Sequence, residues 1–141
     1  MKRKFTNVFV MIFTLLCAVL LITVSCDNGT TGDDSPKEYG GEYVNIINSY
    51  WDGTVNYGGY KNSVIIGIPD DSNYVFYLNG VKDDTGTYSR NFNTATLVSD
   101  DVRYKGKTVG VAIITDPDTV HISLNSNSQY PGASGTVNRR K

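Results

Sequence analysis

Asn73-Tyr74-Val75-Phe76-Tyr77-Leu78-Asn79-Gly80 is the stretch on which the fold turns. Aromatic and β-branched residues fill its first six positions, and such side chains suit a pleated, half-buried surface. The run ends in Asn-Gly, where both residues tolerate positive φ and so close a hairpin. Alternation puts Tyr74, Phe76 and Leu78 on one face. Upstream, Ser63-Val64-Ile65-Ile66-Gly67-Ile68 has the same character and stops at Pro69-Asp70-Asp71; before it, Tyr50 to Tyr57 is broken by Gly58-Gly59. Downstream, after Asp83-Asp84, come Thr85 to Arg90 with a turn at Asn91-Phe92-Asn93, and Thr94 to Val98 ending in Ser99-Asp100-Asp101. Lys107 to Ile114 then turns at Asp116-Pro117-Asp118 into Thr119 to Leu124, and Ser134 to Arg139 closes the set. Tyr43 to Ile47 fits either a lead-in turn or an extension of the first strand.

Eight short strands on short connections, with no helical periodicity among them, predict an all-β domain. An eight-stranded antiparallel up-and-down barrel suits this pattern, because closure removes the exposed edges of an open sheet. Small residues facing large ones fill a narrow barrel. Gly86 with Tyr88, Ala95 with Leu97, and Gly110 with Ala112 and Ile114 supply that mixture; Val64, Ile66 and Ile68 form the inward set of the second strand. A two-sheet β-sandwich shows the same alternation and is the alternative.

The N-terminus has a different composition. Lys2, Arg3 and Lys4 precede a run from Val8 to Val24 without a charge, Gly or Pro, the layout of an export signal. Ile22-Thr23-Val24-Ser25-Cys26 resembles a lipobox of the relaxed spirochaete type, in which a small residue precedes an obligatory Cys. Residues 1–25 are thus expected to be a cleaved lipoprotein signal peptide and Cys26 the lipidation site. Residues 26–38 form a flexible tether, and 39–141 the barrel domain. An uncleaved anchor is the competing reading, since about 17 apolar residues just span a bilayer. The polar, Gly-rich stretch after Cys26 favours the tether, whose reach is about 20 Å if flexible.

Cleavage removes Cys17 and three cations, leaving ten Lys+Arg against fourteen Asp+Glu, a net charge of −4. That balance gives no electrostatic case for nucleic acid. Lipid on Cys26 leaves no thiol for a disulfide, and one histidine without a thiol makes no ordinary zinc site. By parity His121 faces outward, away from Val120 and Ile122. No nucleophile and base are paired, so neither catalysis nor a cofactor is expected. Asp70-Asp71, Asp83-Asp84, Asp100-Asp101 and Asp116-Pro117-Asp118 are read as turn residues that bond their own backbone, in preference to a calcium site.

Trp51-Asp52-Gly53-Thr54, Thr85-Gly86-Thr87-Tyr88, Asn93-Thr94-Ala95-Thr96-Leu97, Val109-Gly110-Val111-Ala112 and Tyr130-Pro131-Gly132 together resemble small lipocalin-like (calycin-type) β-barrel lipoproteins of spirochaetes and related bacteria. The resemblance spans about Tyr43 to Arg140. It implies a barrel in which Trp51, on the first strand, stacks under Arg139 (or Arg140) from the last and closes one end. The chain departs from that family at Ser49, which stands where Gly precedes the Trp by two. The resemblance also implies a monomeric, non-enzymatic, lipid-anchored envelope protein, held at the cell membrane or outer membrane with its domain in the periplasm or on the surface. Tyr74, Phe76 and Tyr88 would line an interior ligand site if the barrel is hollow, and are core if it is filled. The rival functions are a surface antigen or adhesin-like protein acting through its loops, and a periplasmic enzyme inhibitor.

Overall fold

A computed structural model describes residues 36–141. The signal segment, Cys26 and the tether up to residue 35 lie outside the described residues. Eight strands follow one another: β1 (Ser49–Tyr57), β2 (Tyr60–Ile68), β3 (Asn73–Leu78), β4 (Val81–Asn91), β5 (Thr94–Ser99), β6 (Thr108–Asp116), β7 (Thr119–Leu124) and β8 (Ser134–Arg139). Each pairs antiparallel with the next, and β8 returns to β1, from Trp51 opposite Arg139 to Asn56 opposite Ser134. The domain is the closed up-and-down barrel and not the sandwich.

Parity accounts for the core. Trp51 and Val55 of β1, Val64 and Ile66 of β2, Tyr74 and Phe76 of β3, Leu97 of β5 and Ile122 of β7 are all buried. The alternate positions Ile65, Val75, Val98 and His121 are part-exposed on the outer wall. Closure needs small residues as well. At Gly86 a Cβ would overlap the Val98 carbonyl oxygen and press on the Tyr74 ring, so only Gly lets β4 lie this close to β5 there. Gly135 does the same for β8 against β1, where a Cβ would overlap the Thr54 carbonyl oxygen.

Two turns work as the sequence predicts. Asn79-Gly80 (φ 50° and 82°) and Gly58-Gly59 (φ 59° and 82°) have positive φ at both positions, which suits the twist of a tight hairpin. Two strand starts lie several residues ahead of expectation. β2 begins at Tyr60 and β4 at Val81, because each two-residue turn is complete and pairing resumes at once: Tyr57 sits opposite Tyr60, and Leu78 opposite Val81. Asp83-Asp84 is therefore not a turn pair, as the sequence suggested, but part of β4.

The two barrel ends are unlike. The hairpin connections β1–β2, β3–β4, β5–β6 and β7–β8 gather at one, the distal end. The chain enters at the other, where residues 38–48 form a strap across the opening. Tyr39 N–H donates to Ile114 O at 2.6 Å. The fully buried Asn93 accepts from Val44 N–H at 3.2 Å and donates through Nδ2 to Tyr39 O at 3.1 Å. Its own N–H donates to a Glu38 carboxylate oxygen, so the last residue assigned to the tether is bonded to the barrel. Beneath the strap the Arg139 guanidinium lies 4.6 Å from the Trp51 ring centroid and donates to Asn45 O at 2.7 Å. Trp51 and Arg139 are thus in cation–π contact at this end. Burying a Trp removes enough apolar area to supply about 5 kcal/mol of transfer free energy, which makes this the heaviest anchor of the entry end.

Candidate functional site

The distal end is held by side chains, and an irregularity in β4 places the central ones. Register runs from Phe76 opposite Asp84 to Tyr77 opposite Lys82, leaving Asp83 unmatched. This β-bulge turns two successive carboxylates toward the barrel mouth, where a regular strand would send them to opposite faces. Asp84 accepts from Tyr74 Oη at 2.8 Å and Ser99 Oγ at 2.7 Å, and from the Thr85 N–H at 2.8 Å. Asp83 accepts from Tyr130 Oη at 2.8 Å, a bond that crosses from the β7–β8 loop to β4. Tyr130 in turn meets the Tyr57 ring edge-on, with centroids 5.3 Å apart.

A second tie joins the remaining loops. Arg103 of the β5–β6 loop binds Asp101 through Nε (3.0 Å) and Nη2 (3.1 Å), and also donates to Gln129 Oε1. The β1–β2 and β3–β4 hairpins are linked as well, since Asn79 accepts from Ser63 N–H at 3.0 Å and donates to Asn62 Oδ1 at 3.2 Å. All four distal connections are thus fastened to one another or to the barrel wall.

The electrostatics follow from this bonding. Burial, then the Asp83 hydrogen bond, pushes the Tyr130 hydroxyl up to about 12. Burial, then Asp84, raises Tyr74 further still. Both phenols stay protonated and donate. The Arg103 guanidinium and backbone N–H hold the Asp101 carboxyl below its ordinary value. A depression of about 200 Å³ opens between Lys82, Asp83, Asp84, Thr85, Asp100 and Asp101. Among the described residues no group of three or more His, Cys, Asp or Glu is placed to hold a metal ion. Protein-family models, curated proteins and solved structures all fail to match this chain.

The predicted ligand-lining residues do not share one chamber. Tyr74 and Phe76 border a void under the distal mouth, while Tyr88 borders another beside Trp51, with its hydroxyl on Asp70 O at 3.1 Å. Each void holds about 30 Å³, the room of a single water, and Leu97 stands between them. Trp51 and Arg139 meet as described, and Cys26 lies outside the described residues. His121 is on the outer wall, its imidazole held below the ordinary value by partial burial. Sequence reasoning missed Asp83, Asp84, Ser99, Arg103, Gln129 and Tyr130 as a network. The available signal was that Asn79-Gly80 already makes the turn, which leaves Asp83-Asp84 without one to serve.

Proposed function

We propose that this is a lipid-anchored cell-envelope protein with a non-catalytic, lipocalin-like barrel that meets its partner on the outside of the distal end. Its place is the cell membrane or outer membrane, with the domain in the periplasm or on the surface. The observation that carries this reading is the filled interior. Two voids of about 30 Å³ are an order of magnitude below the few hundred Å³ of an ordinary small-molecule pocket. A hollow barrel for an apolar ligand is thereby disfavoured, and the interlocked distal loops offer a preformed surface, which lowers the ordering cost of association. The Cys26 motif and the polar stretch after it support the anchor, and the order of strand motifs supports kinship with the lipocalin-like lipoproteins.

Two measurements test it. A thermal-shift series with fatty acids and apolar dyes should leave the melting temperature unchanged, because a ligand that binds only the folded state must raise it by mass action. A concentration-dependent rise would restore an interior site. Separately, Cys26→Ser should abolish labelled-palmitate incorporation and release the protein from the membrane fraction. Unchanged labelling and fractionation would defeat the anchor.

A further inference from the structure

Among the described residues, the three most exposed large hydrophobic side chains all lie at the distal end: Val102 (89%), Tyr60 (77%) and Val81 (68%). Each sits in or beside a different hairpin connection, and each is followed directly by a cation, in Tyr60-Lys61, Val81-Lys82 and Val102-Arg103. Lys105 and Lys107 follow in the third loop. Five cations at this end, Lys61, Lys82, Arg103, Lys105 and Lys107, stand against four carboxylates, Asp83, Asp84, Asp100 and Asp101, of which Asp101 is paired with Arg103 and Asp83 and Asp84 are held inward by tyrosine hydroxyls. No ion pair among the described residues involves Lys61, Lys82, Lys105 or Lys107. The distal end therefore presents three exposed apolar side chains, each followed in sequence by a cation, at connections that the network holds in place, with a small excess of positive charge.

We infer that this end docks on an anionic lipid bilayer, apart from the one that carries the lipid of Cys26. The inference rests on the anchored reading, because the tether joins at the opposite end of the barrel. An apolar side chain at a loop tip gains by leaving water for the acyl boundary, and lysines near an anionic headgroup layer add attraction. An anionic polymer in water would engage the lysines but gain nothing from Val81 and Val102. The entry end is the poorer candidate: its carboxylates outnumber its cations, and the exposed Tyr43 ring is covered by Arg90, 3.9 Å from the ring centroid.

The test reconstitutes the lipidated full chain in phosphatidylcholine vesicles and adds labelled acceptor vesicles with or without phosphatidylglycerol, reading capture by co-flotation. Capture should require phosphatidylglycerol and weaken as salt is raised. It should fall roughly fivefold for each of Lys61→Gln, Lys82→Gln and Lys105→Gln. Val81→Ser and Val102→Ser should also reduce it without moving the melting temperature. Protein that floats with the donor vesicles yet captures no acceptors overturns the inference and leaves the anchor standing. Capture indifferent to both valine changes also overturns it, in favour of an anionic polymer. If the chain does not float with the donors, the anchor reading fails by itself. The same chain is then floated directly with phosphatidylglycerol vesicles, where binding upholds the docking surface and absence of binding refutes it.

Discussion

Ser49 has two partners. Its Oγ accepts from Trp51 Nε1 at 2.7 Å and donates to Ile46 O, so one hydroxyl satisfies the indole and ties the strap to β1. A Gly there would leave the buried indole without this partner. Ser49→Ala should cost about 1–3 kcal/mol, the range for orphaning a buried donor. Trp51→Ala should cost about 3–5 kcal/mol, since it empties the entry end of its largest buried side chain. Arg139→Ala should lose less, about 0.5–2 kcal/mol from the stack. Its Nε stands 3.7 Å from Asp118 Oδ1, near enough for an ion pair but too far for a hydrogen bond. Chemical denaturation of the three variants, at unchanged m-value, checks the ranking; Arg139→Ala as damaging as Trp51→Ala would refute this account of the stack.

At the scale of elements, the strap depends on one side chain. Asn93 is fully buried; its side chain bonds Val44 and Tyr39 and accepts from Arg90 Nη2 at 2.7 Å, while its backbone N–H holds Glu38. Asn93→Ala should loosen the strap, speeding hydrogen exchange most at Val44 and less at Tyr39, whose N–H keeps Ile114 O, while the amides of β2 and β3 keep their protection. Equal acceleration everywhere would mean that the strap is not a separate unit. Gly86→Ala should cost about 1–3 kcal/mol by pushing β4 off β5. What was legible in the sequence follows the same division. Asn73–Leu78, Thr119–Leu124 and Ser134–Arg139 are strands with the expected bounds, because alternation and turn residues are local signals. The bulge at Asp83 was not legible, since its cause is a register change against β3 and its reward is a phenol supplied 47 residues later. The strap was hidden for a similar reason: residues 38–48 have no periodicity, and most of their partners, at Asn93, the end of β6 and Arg139, are distant in sequence.

At the scale of the whole molecule, the described residues contain no cysteine, so core and network hold the barrel without a disulfide among them. Burial raises Tyr74, Tyr88 and Tyr130, the last to about 12 against an ordinary 10.0. Between those values the folded chain keeps a proton that the unfolded chain has lost. The stability linked to Tyr130 is thus complete below pH 10 and drains away as pH rises toward about 12. Alkaline titration should unfold the domain within that window, and Tyr130→Phe should make its pH dependence shallower. Tyr130 ring resonances that titrate at the ordinary value while the far-ultraviolet signal stays native would contradict this. One consequence of the strap is mechanical. Any pull along the N-terminal chain arrives first at Glu38 and Tyr39, and only afterwards at β1. Letting go there frees about eleven residues, on the order of 35 Å of contour, while the barrel stays shut. The domain thus has a length of chain that can yield between itself and whatever tugs on it before any strand is pulled.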